Sequence, residues 1–212
     1  MNQDGSIALF RYWNSLRGER AAPKRAEIEP AAIKSLLADT FILERDARGE
    51  PVFRLAGTRL CAIYGRELKG FSFPSLWSAE DRKMVGRAAR DAFQEKAIVV
   101  VTFHGLSLSG RSNPFELLIL PLDGGTEHPR ALGSLLPVHR PFWLGADPIV
   151  ENRIETLRLV DPDEQPARLS RGATVSAPPL APSSGTIFDE ISITEGGRRI
   201  RHLVVFDGGR SS

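Results

Sequence analysis

Apolar residues recur at helical spacing near the start of the chain, at strand spacing through its middle, and thin out toward its end. Leu9, Phe10, Trp13 and Leu16 stand three and four residues apart, which predicts an amphipathic helix over 6–17. Gly18 then ends it as a C-cap. A charged connector, 23–30, leads to a second helix that begins at Pro30, buries Ile33, Leu36 and Leu37 on one side, and stops near Asp39. Phe41-Ile42-Leu43 and Val52 to Leu55 read as two strands joined by a turn over 46–50. A short helical segment carries Leu60, Ile63 and Tyr64 before Gly65 breaks it, and Gly57 ahead of it marks a special backbone conformation or a close approach. Ser78, with Asp81 three residues on in the place of the usual Glu, is a capping signal for a longer helix. There Met84, Val85, Ala88, Ala92 and Phe93 recur at helical spacing to about Lys96.

Three strand candidates follow, over 97–104, 115–122 and 132–139, separated by the turn sequences 109–114 and 123–126. Connections this short demand antiparallel neighbours, because a parallel crossover takes about a dozen residues or more. Two strands, a helical insert and three strands therefore predict an α+β fold: a five-stranded antiparallel sheet with helices over one face. Beyond Pro141 the pattern changes. Phe142 to Gly145 covers a sheet edge, and Ile154 to Leu159 alternates like a final strand. Residues 162–186 hold five prolines with Ser, Ala and Gly, too little apolar density for a core, and read as a disordered linker. Residues 188–193 and 200–206 flank Thr194 to Arg199 like a small hairpin, which is marginal in water unless it docks. The expected organisation is flanking helices over 1–38, a core over 39–140, its extension over 141–161, the linker over 162–186 and a hairpin-like segment over 187–212.

Composition narrows the partners. With 28 basic against 26 acidic residues the net charge is +2, too near balance to draw a nucleic acid or a membrane by field alone. One cysteine, Cys61, excludes an intrachain disulfide and fits a reducing compartment. No basic start precedes an apolar run, and no 18-residue apolar segment exists, so a soluble cytoplasmic protein is expected.

Candidate chemistry is sparse. The histidines His104, His128, His139 and His202 are scattered without ligand spacing, and a lone cysteine cannot make a CxxC site, so no metal is expected. Ser107-Leu108-Ser109-Gly110 is not a nucleophile elbow. Gly124-Gly125 and Gly196-Gly197 suit hairpin turns better than phosphate cradles, since no helix or Gly-Lys-Ser/Thr follows them. The basic run Arg198-Arg199-Ile200-Arg201-His202 could meet an acidic partner or nucleic acid, but it lacks interleaved aromatic residues and reads as a solvated turn.

One longer stretch is more specific. Phe53 to Asp81, FRLAGTRLCAIYGRELKGFSFPSLWSAED, resembles the middle of a PAS domain, where a strand passes into short helices through a Gly-Tyr/Arg, Leu-x-Gly, Leu, Glu-Asp run. The opening Trp13-Asn14-Ser15-Leu16-Arg17-Gly18 resembles that of a PAS subfamily found mostly in alphaproteobacteria, whose members are small and carry no recognisable output domain. The resemblance covers roughly residues 7–140. It implies a PAS-like core opened by the 41–55 hairpin, with a pocket between sheet and insert. The expected lining is Leu55, Thr58, Leu60, Ile63, Tyr64, Phe71, Trp77, Phe93, Phe103, His104 and Leu118, together with Leu68 and Phe73. A filled core without ligand is the competing reading.

Photoactive PAS relatives bond flavin through an Asn-Cys-Arg-Phe-Leu-Gln-type run. Arg59-Leu60-Cys61-Ala62-Ile63-Tyr64 departs from it, so flavin is not expected and Cys61 reads as core. Haem-binding relatives present a histidine from the long helix, which here has none and offers only Met84, so haem is not expected either. Trp13 reads first as packing against the sheet; the alternative, since flanking helices of PAS domains often pair, is that Leu9, Phe10, Trp13 and Leu16 form a homodimer or partner surface. The implied function is a non-enzymatic sensory and regulatory module of bacterial signal transduction, acting through protein–protein interaction with a histidine kinase or response regulator. The alternative is a receptor holding a metabolite or cofactor in its cavity. An enzyme would need converging acid and base groups, and the expected pocket offers only His104 and Tyr64.

Overall fold

The computed structural model describes residues 1–124 and 129–163, together with the backbone of two strands at 197–200 and 203–206. Helix α1, Asp4–Arg17, comes first. Its start is held by Glu116, whose buried carboxylate accepts the backbone N–H groups of Asn2 at 2.6 Å and Gln3 at 3.2 Å. A carboxylate at a helix N-terminus satisfies orphan donors and faces the positive end of the dipole.

The segment after α1 is not a second α-helix. It forms three short 3-10 turns, Arg25–Glu27, Pro30–Ile33 and Leu37–Asp39. Ile33 is buried, but Leu36 and Leu37 are only partly so, which leaves the expected apolar side too narrow to hold a regular helix.

Strands β1 (Thr40–Arg45) and β2 (Pro51–Ala56) form the first hairpin, with a bulge between Ile42 and Leu43. Helix α2 (Thr58–Ile63), a 3-10 turn (Phe73–Leu76) and helix α3 (Arg82–Gln94) make up the insert. Strands β3 (Ile98–Ser107), β4 (Ser112–Leu122) and β5 (Arg130–Pro137) return as the expected antiparallel meander. A sixth strand, β6 (Ile149–Val160), joins the edge beside β3, and the order is β2-β1-β5-β4-β3-β6. The sheet is thus one strand wider than five, because the alternating segment after Pro141 pairs with the whole length of β3.

Both faces of this sheet are covered, not one. Val99, Val101, Phe103, Leu117 and Ile119 point into a core shared with the insert, where Leu60, Ile63, Phe73, Trp77, Val85 and Phe93 pack against them. Their strand neighbours Ile98, Val100, Leu118, Leu120 and Leu122 point to the other side and pack against Leu9, Phe10 and Trp13 of α1. The alternation follows from the two-residue period of a strand. It explains why the runs 98–101 and 117–120 are continuously apolar: neither face sees water. Trp13 is fully buried and its indole N–H donates to the Pro121 carbonyl at 2.7 Å. Leu9, Phe10 and Trp13 are therefore interior residues of their own chain and unavailable as a dimer or partner surface, while Leu16 is partly buried beside them.

Residues 173–212 form a separate unit. In it β7 (Gly197–Ile200) pairs antiparallel with β8 (Leu203–Phe206), Gly197 facing Phe206 and Ile200 facing Leu203. Gly197, Arg198 and Arg199 are strand residues and not the turn expected there, since they pair with Phe206, Val205 and Val204. The expected linker from residue 164 on, the expected strand at 188–193, and His128 and His202 lie outside the described residues.

Candidate functional site

The space between the insert and the sheet is filled by aromatic rings. Phe41, Phe53 and Phe73 meet at centroid separations of 5.6 to 6.1 Å. The chain continues from Phe73 to Trp77 at 6.1 Å, to Phe103 at 4.8 Å and to Phe115 at 5.2 Å. Tilted and offset pairs at these distances add to the stabilisation from area burial. Phe41 leaves its ring over Gly133 on the neighbouring strand, where a Cβ would sit 2.2 Å from the ring.

A small polar group interrupts this apolar interior. Asn152 of β6, fully buried, donates from its Nδ2 to the Tyr64 hydroxyl at 2.9 Å. Burial pushes the Tyr64 phenol well above its ordinary value, and the Asn152 hydrogen bond offsets only part of that. Trp77 lies alongside in a backbone bridge to Asn152, and the Ser78 N–H donates to the Asn152 carbonyl at 2.9 Å. Two buried polar atoms there, Trp77 Nε1 and Asn152 Oδ1, have no hydrogen-bond partner among the described residues. One is a donor and the other an acceptor, and each unsatisfied group costs about 1–3 kcal/mol.

Close by, Asp81 ties the start of α3 to β6. Its Oδ2 accepts from the Ile154 N–H at 3.0 Å and from the Ser78 hydroxyl at 2.8 Å, while the Asp81 N–H donates back to Ser78 Oγ at 3.2 Å. The expected Ser78–Asp81 capping pair is present, with the added role of reaching the sheet. A cleft of about 250 Å³ opens on the other side of α2, lined by Arg59, Ile63, Arg140 and Leu144 among others.

The loop between β5 and β6 forms a second polar cluster. Asp147 accepts from the hydroxyls of Ser109 and of Ser107, the latter at 2.7 Å. The Arg111 guanidinium stands 4.0 Å from Asp147 and about 5.9 Å from the ring centres of Phe142 and Trp143. Those hydroxyl hydrogen bonds, with Arg111, hold the Asp147 carboxyl below its ordinary range.

Among the eleven expected pocket residues, Leu60, Ile63, Tyr64, Trp77, Phe93 and Phe103 share the insert-side core. Leu118 does not: it faces α1 on the opposite side of the sheet, because its register partner is Val100 and not Val101. Leu55, Thr58, Phe71 and His104 are exposed and line no interior space. Cys61 is only half-buried, at the rim of the core, with its Sγ 3.7 Å from Glu67 Oε1. Asn152 was not anticipated: it stands between Glu151 and Arg153, before the alternating stretch that begins at Ile154, and nothing in that context marks it as buried. Among the described residues no three His, Cys, Asp or Glu side chains gather as a metal-ligand set, and no helix is long and apolar enough to cross a membrane.

Comparison with known proteins gives three findings. A family model described as "PAS domain" matches residues 1–136. No curated protein matches. Among solved structures, the chain is similar to the Rhodobacter sphaeroides LOV protein at 15% identity and a TM-score of 0.40, over 54% of this chain and 71% of that one. It is also similar to the PAS domain of a protein from Colwellia psychrerythraea at 15% identity and a TM-score of 0.38, over 52% of this chain and 98% of that one.

Proposed function

The chain belongs to the PAS domain family, and from that premise we propose that it is a non-enzymatic regulatory module of bacterial signalling that works by protein–protein contact in the cytoplasm. The observation that carries this reading is the junction between insert and edge strand. Tyr64, Ser78 and Asp81, all from the insert, converge on Asn152 and Ile154 of β6. A change felt by the insert is thereby transmitted to a strand at the sheet edge, from which the chain continues past Val160. Such coupling requires two arrangements of the junction whose balance a ligand or partner biases.

The partner in this proposal is a histidine kinase or response regulator. A homodimer would have to form without Leu9, Phe10 and Trp13. Neither haem nor flavin has a part in it: Cys61 sits at the core's rim, while His104 and Met84 are exposed. The test is cross-linking of the tagged chain in native bacterial cells. We expect a kinase or response regulator to be enriched over an unrelated bait of equal charge; repeated recovery of no signalling protein would overturn the reading.

One observation favours a second reading, a small-molecule receptor: the unpartnered Trp77 Nε1 and Asn152 Oδ1 inside the core. Native mass spectrometry of the protein purified without refolding separates the two. A bound mass lost in a Trp77→Phe variant supports the receptor, and the bare chain mass supports the ligand-free module.

A further inference from the structure

A pocket of about 310 Å³ lies away from the aromatic core, lined by Arg25, Ile42, Arg54, Leu55, Lys69 and Arg130. Five separate segments build it. Arg25 comes from the first 3-10 turn after α1, Ile42 from β1, Arg54 and Leu55 from β2, Lys69 from the loop following α2, and Arg130 from the start of β5. Four of its six lining residues are cationic. Glu44 faces two of them, with Oε1 3.7 Å from Arg54 Nη1 and Oε2 3.6 Å from Arg130 Nε. Both distances exceed hydrogen-bond length, so these are charge contacts only. Glu44 offsets one positive charge of the four, in a chain whose whole net charge is +2.

Two arginines elsewhere on this protein have closer anionic partners. Arg20 meets Glu27 at 3.0 Å and Arg153 meets Glu151 at 2.8 Å. In the pocket, by contrast, the Nε atoms of Arg25 and Arg130 are buried without any hydrogen-bond partner among the described residues. Buried guanidinium N–H groups without an acceptor, among like charges that Glu44 offsets only in part, are unfavourable, and an anion would relieve both costs. Guanidinium groups present planar, forked donors that match the oxygens of a phosphoryl group, and Lys69 adds a point charge. Ile42 and the half-exposed Leu55 supply an apolar wall beside the cations. The volume is at the small end of ligand sites.

We propose that this pocket binds a small organic phosphate monoester, with its phosphoryl oxygens on Arg25 and Arg130, Arg54 and Lys69 closing over them, and its carbon part against Ile42 and Leu55. The ligand would join the N-terminal segment, the first hairpin, β5 and the insert, so its occupancy would stiffen four parts of the fold together. This site is separate from the Tyr64–Asn152 junction and stands or falls independently of it.

Phenyl phosphate and inorganic phosphate are the probes, titrated calorimetrically and in thermal unfolding of the full chain, against sodium chloride of equal ionic strength. Saturable binding and a raised Tm are expected with phenyl phosphate, and weaker binding with inorganic phosphate. Arg130→Gln should weaken phenyl phosphate roughly tenfold or more, and Lys69→Gln, at an exposed position that leaves packing intact, by a few fold. Arg153→Gln, on β6, should bind as the parent does. A stabilisation that chloride reproduces would overturn the proposal, and so would undiminished binding by Lys69→Gln and Arg54→Gln, two exposed substitutions whose folding is not in question.

Discussion

The carboxylate of Asp81, at the mouth of α3, accepts the backbone N–H of Ile154 on β6 at 3.0 Å. This strand is an edge of the sheet, and edges expose backbone donors and acceptors that invite unwanted pairing. The insert covers part of that edge: Ser78 donates to the Asn152 carbonyl while Asp81 takes the Ile154 donor. Replacing Asp81 by Ala leaves the Ile154 N–H and the Ser78 hydroxyl without their acceptor. Asp81→Ala should cost about 1–3 kcal/mol in urea unfolding and speed hydrogen exchange at Ile154. Asp81→Asn keeps a carbonyl oxygen and should lose less; equal stability of parent and Ala variant would show the contact to be incidental.

The second prediction concerns Tyr64. Its phenol is raised above the ordinary value, first by burial, so the folded state holds the proton more tightly than the unfolded chain does. The stability this contributes is fully present below about pH 10, the unfolded value, and is lost as pH rises beyond it toward the folded value. In a Tyr12→Phe background, which leaves Tyr64 as the sole tyrosine, phenolate absorbance should therefore appear together with unfolding and not before it. Tyr64→Phe should remove this alkaline dependence. It should also cost about 1–3 kcal/mol at neutral pH, because the buried Asn152 amide loses its hydrogen bond to the Tyr64 hydroxyl.

The strands were legible in the sequence and the side each residue faces was not. Ile98 to Val101 and Leu117 to Leu120 announce buried strands by composition, yet a run without polar residues carries no alternation from which to read orientation. Leu118 and Phe103 were expected in one pocket; the observed register pairs Leu118 with Val100 and Phe103 with Phe115, which puts them on opposite faces. A one-residue difference in register inverts a side chain's direction, and only the pairing fixes it. The helix α1 and the packing of Trp13 on the sheet were legible, but the pattern of α1 alone left a second reading open. Its stripe of Leu9, Phe10 and Trp13 also suits another molecule, until the far side of its own sheet is seen to be apolar. Polar junctions were less legible still, since Tyr64 and Asn152 are 88 residues apart and the cationic pocket draws on five segments.

Gly57 was legible as special, and the structure supplies the reason. Its φ of −68° is open to any residue, so backbone freedom is not what the position needs. A Cβ there would lie 2.3 Å from the Leu37 carbonyl oxygen and 2.4 Å from that of Ala38. Gly133 is similar: a Cβ would meet the Phe41 ring at 2.2 Å and the Leu118 carbonyl oxygen at 2.7 Å. Backbone atoms cannot step aside as a side-chain tip can. Gly57→Ala and Gly133→Ala should each destabilise by about 1–3 kcal/mol or more in chemical denaturation. Gly110→Ala is the contrast, since its Cβ would meet nothing and only its φ of +80° opposes the change. If Gly57→Ala or Gly133→Ala proved neutral, the close backbone approach there would be looser than described.

Asp147 sets the acid behaviour of the loop between β5 and β6. Hydrogen bonds from Ser109 and Ser107, with Arg111 nearby, hold its carboxyl below the ordinary value of about 3.9. Its folded value is depressed, so the stability it contributes is present above the unfolded value and is lost as pH falls through the folded one. Asp147→Asn removes the charge but keeps an oxygen for one serine hydroxyl. The variant should therefore unfold with a flatter pH dependence below about pH 4, while its stability relative to the parent improves as the acid deepens. Arg111 links the effect to a visible probe, because it stands against Trp143 and the exposed Phe142. Protonating Asp147 releases the guanidinium's anionic partner, so Trp143 emission should change with acid in the parent and stay level in Asp147→Asn. Identical acid profiles for the two proteins would show that the two serines and Arg111 do not hold the loop through this carboxylate.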